Sequence, residues 1–200
     1  EITKIEGLGS LVNLERLVIC GTKIRKIEGL DNLVNLKVLH LSFNQIEKIE
    51  GLDNLTSLYS LWLSNNKITE IDGLDNLVNL VELQLSGNYM ENIKGLDNLV
   101  NLKELRLGGI QARKIESLDK LVNITCLDLS DNWISKIEGL DNLVNLVNLE
   151  LNRNYITRLE GLDNLVELKS LDLSDNQITE IGDVSHLKNL NYFNYNNNLF

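Results

Sequence analysis

Histidine and cysteine side chains are the first to consider for chemistry, because they serve as bases, nucleophiles and metal ligands. This chain has two of each, His40 with His186 and Cys20 with Cys126. The members of each pair lie more than a hundred residues apart, in distant copies of the repeat described below. We therefore expect them to form no metal site, no catalytic triad and no disulfide.

Pairs of carboxylates could perform acid–base chemistry, and acidic residues recur at a fixed spacing in the second half of the chain, as in Asp128, Glu150 and Asp172. That spacing predicts neighbouring positions on an open sheet, where nothing would bury them. Because strongly shifted pKa values usually require burial, we interpret these carboxylates as binding residues. The sequence also lacks a GxxxxGK[ST] or GxGxxG motif. We predict that the protein is not an enzyme and has no catalytic residue, no metal and no cofactor.

Charge and hydropathy exclude several classes of partner. The formal net charge is −10, which disfavours nucleic acid and anionic membrane surfaces, because both attract clustered Lys and Arg. No apolar run approaches the roughly 20 residues that a membrane span needs, and the first residues do not have a signal-peptide pattern. We predict a cytoplasmic or nuclear protein, with secretion or surface exposure as the alternative.

A repeat of 22 residues organises the whole chain. The string GLDNLVNL occurs at 29–36, 73–80, 95–102 and 139–146. With Leu14 as position 1, repeats start at residues 14, 36, 58, 80, 102, 124, 146, 168 and 190, without insertions, and read LxxLxLxxNxIxxIxxLxxLxx. We predict that residues 1–200 form one domain of about nine repeats, partial at both ends. End-to-end self-association is expected if the termini are uncapped.

The repeat predicts a solenoid of the α/β class. Positions 4 and 6 point inward around one outward residue, as in a short strand, and one strand per repeat would build a parallel sheet. The segment that returns to the next strand is too short for an α-helix, so we expect short 3₁₀ turns on the convex side. An inward Asn at position 9 would bond backbone groups where the chain leaves the strand. This predicted ladder comprises Asn44, Asn66, Asn88, Asn132, Asn154, Asn176 and Asn198.

Repeat 5 departs from this pattern. Ile110 replaces the Asn, Ala112 replaces the usual Ile, and Ser117 replaces the usual Gly. A larger inward residue followed by a smaller one indicates volume compensation in the core. We interpret repeat 5 first as a compensated local defect, and second as a functional kink.

The outward strand positions vary between repeats, whereas the scaffold positions scarcely change, and this contrast predicts a binding surface. Its N-terminal part is apolar and aromatic, which is typical of an interaction hot spot, and its C-terminal part is acidic, which would steer a basic partner. The predicted concave-face residues are Val18, Val38, His40, Phe43, Trp62, Gln84, Arg106, Asp128, Asp131, Glu150, Arg153, Asp172 and Asp175. Tyr89, Trp133 and Tyr155 are predicted to extend the contact at the rim of the sheet.

The repeats resemble leucine-rich repeats of the 22-residue SDS22-like class, whose namesake is a regulatory subunit of protein phosphatase 1. Segments 26–30 and 136–140 carry the resemblance with the sequence Lys-Ile-Glu-Gly-Leu, each followed by Asp-Asn-Leu-Val-Asn-Leu. The resemblance covers essentially all 200 residues and implies a horseshoe-shaped arc with a concave parallel sheet. It further implies that a phosphatase docks on acidic and aromatic concave residues, here Trp62, Asp128, Glu150 and Asp172. Bacterial internalins have similar units but typically carry Pro where this chain has Gly29.

Three functions follow from this surface. The leading prediction is a scaffold or regulatory subunit that binds a protein on its concave face, with a phosphatase as one such partner. The partner would have an apolar contact and a basic patch, and would be neither a nucleic acid nor a membrane. The alternatives are a secreted or surface-exposed recognition or adhesion module of the internalin or receptor type, and the targeting domain of a larger enzyme.

Overall fold

A computed structural model describes residues 2–199 of the chain. Each repeat contributes one strand of three residues to a parallel sheet whose strands follow chain order. The strands are β1 (Arg16–Val18), β2 (Val38–His40), β3 (Ser60–Trp62), β4 (Glu82–Gln84), β5 (Glu104–Arg106), β6 (Cys126–Asp128), β7 (Asn148–Glu150), β8 (Ser170–Asp172) and β9 (Tyr192–Asn194). The predicted repeat solenoid with a parallel sheet is therefore confirmed.

The register of the sheet equals the period of the sequence. Leu17 pairs with Leu39 and Leu39 with Leu61, and each further pair lies one repeat along the chain. Because the shift is always one repeat, residues of the same repeat position form continuous columns across the sheet. The column of central strand residues points inward, and Leu39 and Leu61 are fully buried. The two outward columns are thereby held on the opposite, concave face.

The core is a continuous stack of Leu and Ile behind the sheet. In repeat 2, Leu36, Leu39, Leu41, Ile46 and Ile49 are all buried, and later repeats supply equivalent residues. Each layer packs against the layers of the adjacent repeats, as expected for a solenoid. Full burial of one such side chain contributes about 1.5–3 kcal/mol.

The position-9 asparagines join neighbouring repeats beneath the sheet. In Asn66, Oδ1 accepts a hydrogen bond from the Ile46 backbone N–H at 3.0 Å. Its Nδ2 donates to the Leu41 carbonyl at 3.0 Å and to the Leu63 carbonyl at 2.9 Å. These bonds satisfy backbone N–H and carbonyl groups that are buried in the turn and form no hydrogen bonds within the sheet.

The convex side consists of paired turns. In the segment that returns to β2, the Leu33 N–H donates to the Leu30 carbonyl and the Leu36 N–H to the Leu33 carbonyl, both at 2.9 Å. These are bonds of the 3₁₀ type, but they close two separate turns, and residues 2–199 contain no helix. A second asparagine ladder, exposed on this side, ties the turns together, as where Asn35 Nδ2 donates to the Val12 carbonyl at 2.9 Å. The repeat pattern did not predict this outer ladder.

Repeat 5 interrupts the regular pattern without opening the core. Ile110 and Ala112 are both fully buried, and Asn132 of the next repeat accepts hydrogen bonds from both of their N–H groups, at 3.1 and 3.0 Å. Between these two residues, Gln111 has a φ of 73°, in the left-handed region that non-glycine residues seldom adopt. The change of inward residues thus alters the local backbone, and Asn132 accepts one more backbone hydrogen bond, from Ile110, than the other ladder asparagines do.

Replacing Ser117 with glycine is expected to stabilise the protein by about 1 kcal/mol. Ser117 has a φ of 58° at the repeat position where Gly95 and Gly139 have φ values of 78° and 69°, and glycine adopts this conformation without a steric cost. Urea denaturation of Ser117→Gly and of the control Ser135→Gly, at an exposed site in the next repeat, would measure the effect. A loss of stability in Ser117→Gly equal to that of the control would contradict it.

Candidate functional site

The concave face carries the two outward strand columns and the column at position 8, three residues after each strand ends. At its N-terminal end lies an apolar patch, defined as Val18, Val38, His40, Phe43 and Trp62. Phe43 is 62% exposed and Val18 is 50% exposed. Exposed apolar groups that adjoin one another on a sheet are typical of a protein contact surface.

His40 and Trp62 form the centre of the apolar patch. They are register partners on β2 and β3, and their rings meet edge to face, with centroids 4.6 Å apart and an interplanar angle of 77°. Burial lowers the pKa of His40, and the positive charge of Arg16 lowers this pKa further. The imidazole is therefore neutral at pH 7, and the patch remains uncharged.

Phe43 occupies an unfavourable backbone conformation. Its φ is 58°, and the other position-8 residues have the same left-handed conformation, Asn65 at 56° and Gly87 at 69° for example. In seven of the nine repeats this position is Gly, Asn or Asp, the residues that tolerate it best. Phe43 and Arg153 are the exceptions. A bulky residue in this region costs on the order of 1–3 kcal/mol.

Trp62 carries a second unfavourable feature. Its indole Nε1 is buried and is the one such side-chain atom without a hydrogen-bond partner among the described residues. Buried donors are nearly always paired, and leaving one unpaired costs about 1–3 kcal/mol. Two costly features are thus concentrated in one small apolar patch.

Apart from Arg16 on β1, the charged side chains of the outward columns begin with Glu82 on β4. Gln84 Nε2 donates to Glu82 Oε1 at 2.6 Å, and Arg106 Nε lies 2.6 Å from Glu104 Oε1. The hydrogen bond to Glu104 raises the pKa of Arg106. Both residues predicted for this region, Gln84 and Arg106, lie on the concave face, and each is held by a carboxylate of its own strand.

Three carboxylates follow on adjacent strands and form the acidic row, defined as Asp128, Glu150 and Asp172. The register places Asp128 beside Glu150 and Glu150 beside Asp172. Asp128 is only 9% exposed, and its Oδ1 accepts bonds from the Ser130 N–H at 2.9 Å and the Ser130 hydroxyl at 2.6 Å. Asp128 therefore presents less surface to a partner than the sequence pattern suggested.

The members of the acidic row differ in pKa. Burial would raise the pKa of Asp172, but hydrogen bonds from Ser174, Asn194 and Tyr192 outweigh it and hold this pKa below its usual value. Burial raises the pKa of Glu150, and the charge of Asp128 raises it further. The carboxylate of Glu150 accepts no hydrogen bond from the described part of the chain, unlike the carboxylates of its two neighbours. It is the member of the row most available to a cationic partner.

Replacing Glu150 with glutamine is expected to stabilise the protein by about 0.5 kcal/mol at pH 7, because burial disfavours the charged carboxylate and the like charge of Asp128 on the adjacent strand repels it. The raised pKa means that the folded state takes up a proton before the unfolded state as the pH falls, so ionised Glu150 costs stability at neutral pH. That cost disappears as the pH falls through the folded-state pKa.

The free energies of unfolding of wild type and Glu150→Gln should therefore converge at acidic pH. Urea denaturation at several pH values would measure the difference, with Glu70→Gln at an exposed site outside the sheet as control. A gain for Glu150→Gln that is the same at every pH would show that the charge of Glu150 is not its cause.

The rim of the sheet brings together residues that the sequence analysis treated separately. Trp133 and Tyr155, from the predicted rim set, line one cavity with Asp131, Arg153 and Asp175, from the predicted concave set. Tyr89 is 55% exposed and does not line this cavity, because Gln111 separates it from Trp133 along the rim. The proximity of the aromatic residues to the charged ones could have been predicted from the sequence, by comparing repeat positions 8 and 10 in consecutive repeats.

Within residues 2–199, no group of three or more His, Cys, Asp or Glu residues has an arrangement that could hold a metal ion. Burial raises the pKa of Cys126 and also that of Cys20, which disfavours the reactive thiolate. No helix long and apolar enough to cross a membrane occurs in this part of the chain.

Comparison with protein-family models gives matches over more than half of the chain. A model described as Leucine Rich repeats (2 copies) matches residues 34–76 and 122–164, and one described as Leucine Rich Repeat matches residues 167–190. Among curated protein sequences, none matches this chain.

Solved structures similar to this one include two internalins from Listeria monocytogenes. InlF is 33% identical with a TM-score of 0.92, and the match covers 99% of this chain and 58% of InlF. InlC2 is 32% identical with a TM-score of 0.80, and the match covers 90% of this chain and 78% of InlC2. TLR13, in a complex with the RNA ssRNA13, is 26% identical with a TM-score of 0.86, over 94% of this chain and 30% of TLR13. This chain thus spans less than two thirds of InlF.

Proposed function

Since this chain belongs to the leucine-rich-repeat family, we propose that it is a non-catalytic recognition module that binds a protein partner on its concave face. Phe43 carries this proposal. It is 62% exposed in a backbone conformation that favours Gly or Asn. An aromatic side chain that is both costly and exposed is expected where binding requires it.

The distribution of charge defines the partner. The apolar patch is neutral, whereas the acidic row begins three strands beyond Trp62. A complementary partner has an apolar side chain for Phe43 and Trp62 and a basic segment for Glu150. The acidic row would orient this partner and accelerate association more than it would increase affinity.

Protein fits this surface better than nucleic acid does. The structure of TLR13 holds an RNA, but on the concave face of this chain the acidic row is accompanied by Glu82, Glu104, Asp131 and Asp175. Phosphate groups would be repelled there, since affinity for nucleic acid depends on Lys and Arg.

The internalin structures support a recognition module better than they support a phosphatase regulatory subunit. InlF and InlC2 match 99% and 90% of this chain at 33% and 32% identity. We therefore favour the secreted or surface-exposed recognition module that was the alternative on sequence alone. The phosphatase-regulator function and the cytoplasmic location stay predictions of the SDS22-like resemblance.

Affinity capture with the immobilised chain tests the proposed function. The double variant Trp62→Ala, Glu150→Lys alters the apolar patch and the acidic row, and leaves Asp128, which is bonded to Ser130, intact. The control Val78→Ala, Glu70→Lys makes changes of the same kind outside the strands. We expect wild type and control to recover the same protein, with at least tenfold less recovered by the concave variant. Equal recovery by all three would reject the concave face as the binding surface.

A further inference from the structure

The rim of the C-terminal half contains a cavity of about 350 Å³, called here the rim cavity. It spans three consecutive repeats at the edge where the chain leaves the strands. Its lining combines two aromatic rings, three charged groups and two ladder amides: Asp131, Asn132, Trp133, Arg153, Asn154, Tyr155 and Asp175. Aromatic and charged groups in one open cavity are suited to a cationic group that is itself partly apolar.

The two rings of the rim cavity have free surface. Trp133 and Tyr155 occupy the same position in consecutive repeats and are 40% and 50% exposed. Within residues 2–199, the ring contacts are those of His40 with Trp62 and Phe193 with Tyr195. Trp133 and Tyr155 therefore line one cavity without packing on each other, and a bound group can contact both.

Trp133 already binds a cation from within the chain. The guanidinium carbon of Arg113 lies over its ring, 4.9 Å from the centroid. Arg113 comes from the preceding repeat and does not line the rim cavity. The contact shows that the indole is oriented so that a guanidinium group can reach its face.

The charges of the rim cavity are incompletely balanced. Arg153 Nη1 lies 3.4 Å from Asp131 Oδ1, and both side chains are more than half exposed. Asp175 Oδ1 accepts a hydrogen bond from Asn197 Nδ2 at 2.9 Å, and no cation of the described residues pairs with it. One carboxylate beside the two rings thus has no counter-ion within this part of the chain.

We propose that the rim cavity binds the guanidinium group of an arginine side chain of the protein partner. The guanidinium stacks on Tyr155 and Trp133 and donates hydrogen bonds to Asp175. Arginine fits better than lysine because its planar group both stacks on aromatic faces and pairs with a carboxylate in a forked geometry. This inference rests on the proposed function, since it assigns one side chain of the partner.

Arg153 competes with the bound arginine. Its guanidinium already pairs with Asp131 and lines the same cavity. Its φ of 56° is a conformation that asparagine tolerates better. Replacement of Arg153 by asparagine therefore removes a competing cation without straining the fold, and it is expected to strengthen binding of the external guanidinium.

Fluorescence titration of the isolated chain tests the rim cavity without any partner. The chain has two tryptophans, so a Trp62→Phe background leaves Trp133 as the reporter. The probes are N-acetyl-arginine amide, its neutral isostere N-acetyl-citrulline amide, and the corresponding lysine derivative with a free side-chain amine. We expect a saturable change with the arginine probe, and an affinity about tenfold lower for citrulline and severalfold lower for lysine.

Variants in the Trp62→Phe background measure how much each side chain contributes to binding of the arginine probe. Asp175→Asn is expected to lower the affinity for the arginine probe about tenfold and Tyr155→Leu about fivefold. The control Tyr59→Leu, at an exposed tyrosine outside the rim cavity, should leave this affinity unchanged. Arg153→Asn should raise it about fivefold, a gain that misfolding cannot produce.

Equal binding of the arginine and citrulline probes, equal binding of arginine and lysine, or weaker binding by Arg153→Asn would overturn the arginine site. None of these results depends on the apolar patch. Failure of the rim cavity would therefore leave the capture experiment on the concave face unaffected, and the two proposals can fail separately.

Discussion

Replacing Gly95 with alanine is expected to lower the free energy of unfolding by about 3 kcal/mol. Gly95 has a φ of 78°, and a Cβ added there would clash with the backbone carbonyl oxygen of Ile71 in the preceding repeat. Two penalties therefore add, the left-handed conformation of an L-residue and a clash with backbone that cannot move without separating the repeats. Urea denaturation followed by circular dichroism measures the change.

Gly109→Ala is the matched control for Gly95→Ala. Gly109 has a φ of 65°, but the atoms nearest to an added Cβ, in Gly87 and Asp131, lie 3.8–4.0 Å away, an ordinary contact distance. We expect a loss of about 1 kcal/mol, from the conformational penalty alone. Equal losses in the two variants would show that the close approach between repeats has no energetic role.

Replacing Asn132 with alanine is expected to lower the free energy of unfolding by about 4 kcal/mol. Its Oδ1 accepts bonds from the Ile110 and Ala112 N–H groups, and its Nδ2 donates to the carbonyls of Leu107 and Leu129 at 2.9 and 3.0 Å. Asn132 is 2% exposed, so water cannot replace these bonds. Several backbone groups would remain buried and unpaired.

Asn145→Ala, in the same repeat, is the control for Asn132→Ala. Asn145 belongs to the outer ladder, and its Nδ2 donates to the Val122 carbonyl at 2.9 Å in an exposed position. Water can take over this bond, so we expect a loss of at most about 0.5 kcal/mol. Equal losses of stability in the two variants would show that burial does not make the inner ladder more important for stability than the exposed outer ladder.

The fold could be predicted from the sequence because its determinants are periodic. The 22-residue period sets the register, and the alternation of Leu39 and Leu41 around His40 sets which column faces inward. Both features depend on residue type and spacing alone. The paired turns of the convex side were less accessible, because one short turn and two successive turns fit a connection of the same length.

Local properties of the candidate site were not accessible from the pattern. The positive φ of Phe43 follows from the path of the chain after the strand. Phe43 itself gives no sign of this conformation, and only the Gly, Asn and Asp residues at the same position of seven other repeats indicate it. The hydrogen bonds of Asp128 come from Ser130 two residues later, a contact that the pattern of columns overlooks. The grouping of Trp133 and Tyr155 with Asp175 depends on how the rim turns in three repeats pack together. The binding roles of these residues stay predictions.

The Phe43→Asn variant tests most directly whether the concave face is a binding surface. Asparagine tolerates the φ of 58° at this position, so the variant is expected to be more stable than wild type by about 1 kcal/mol. At the same time it removes the most exposed ring of the apolar patch. We predict a higher denaturation midpoint together with at least tenfold weaker binding to the protein that the wild-type chain captures. A more stable Phe43→Asn that binds this protein as tightly as wild type would contradict the assignment of the concave face as the binding surface.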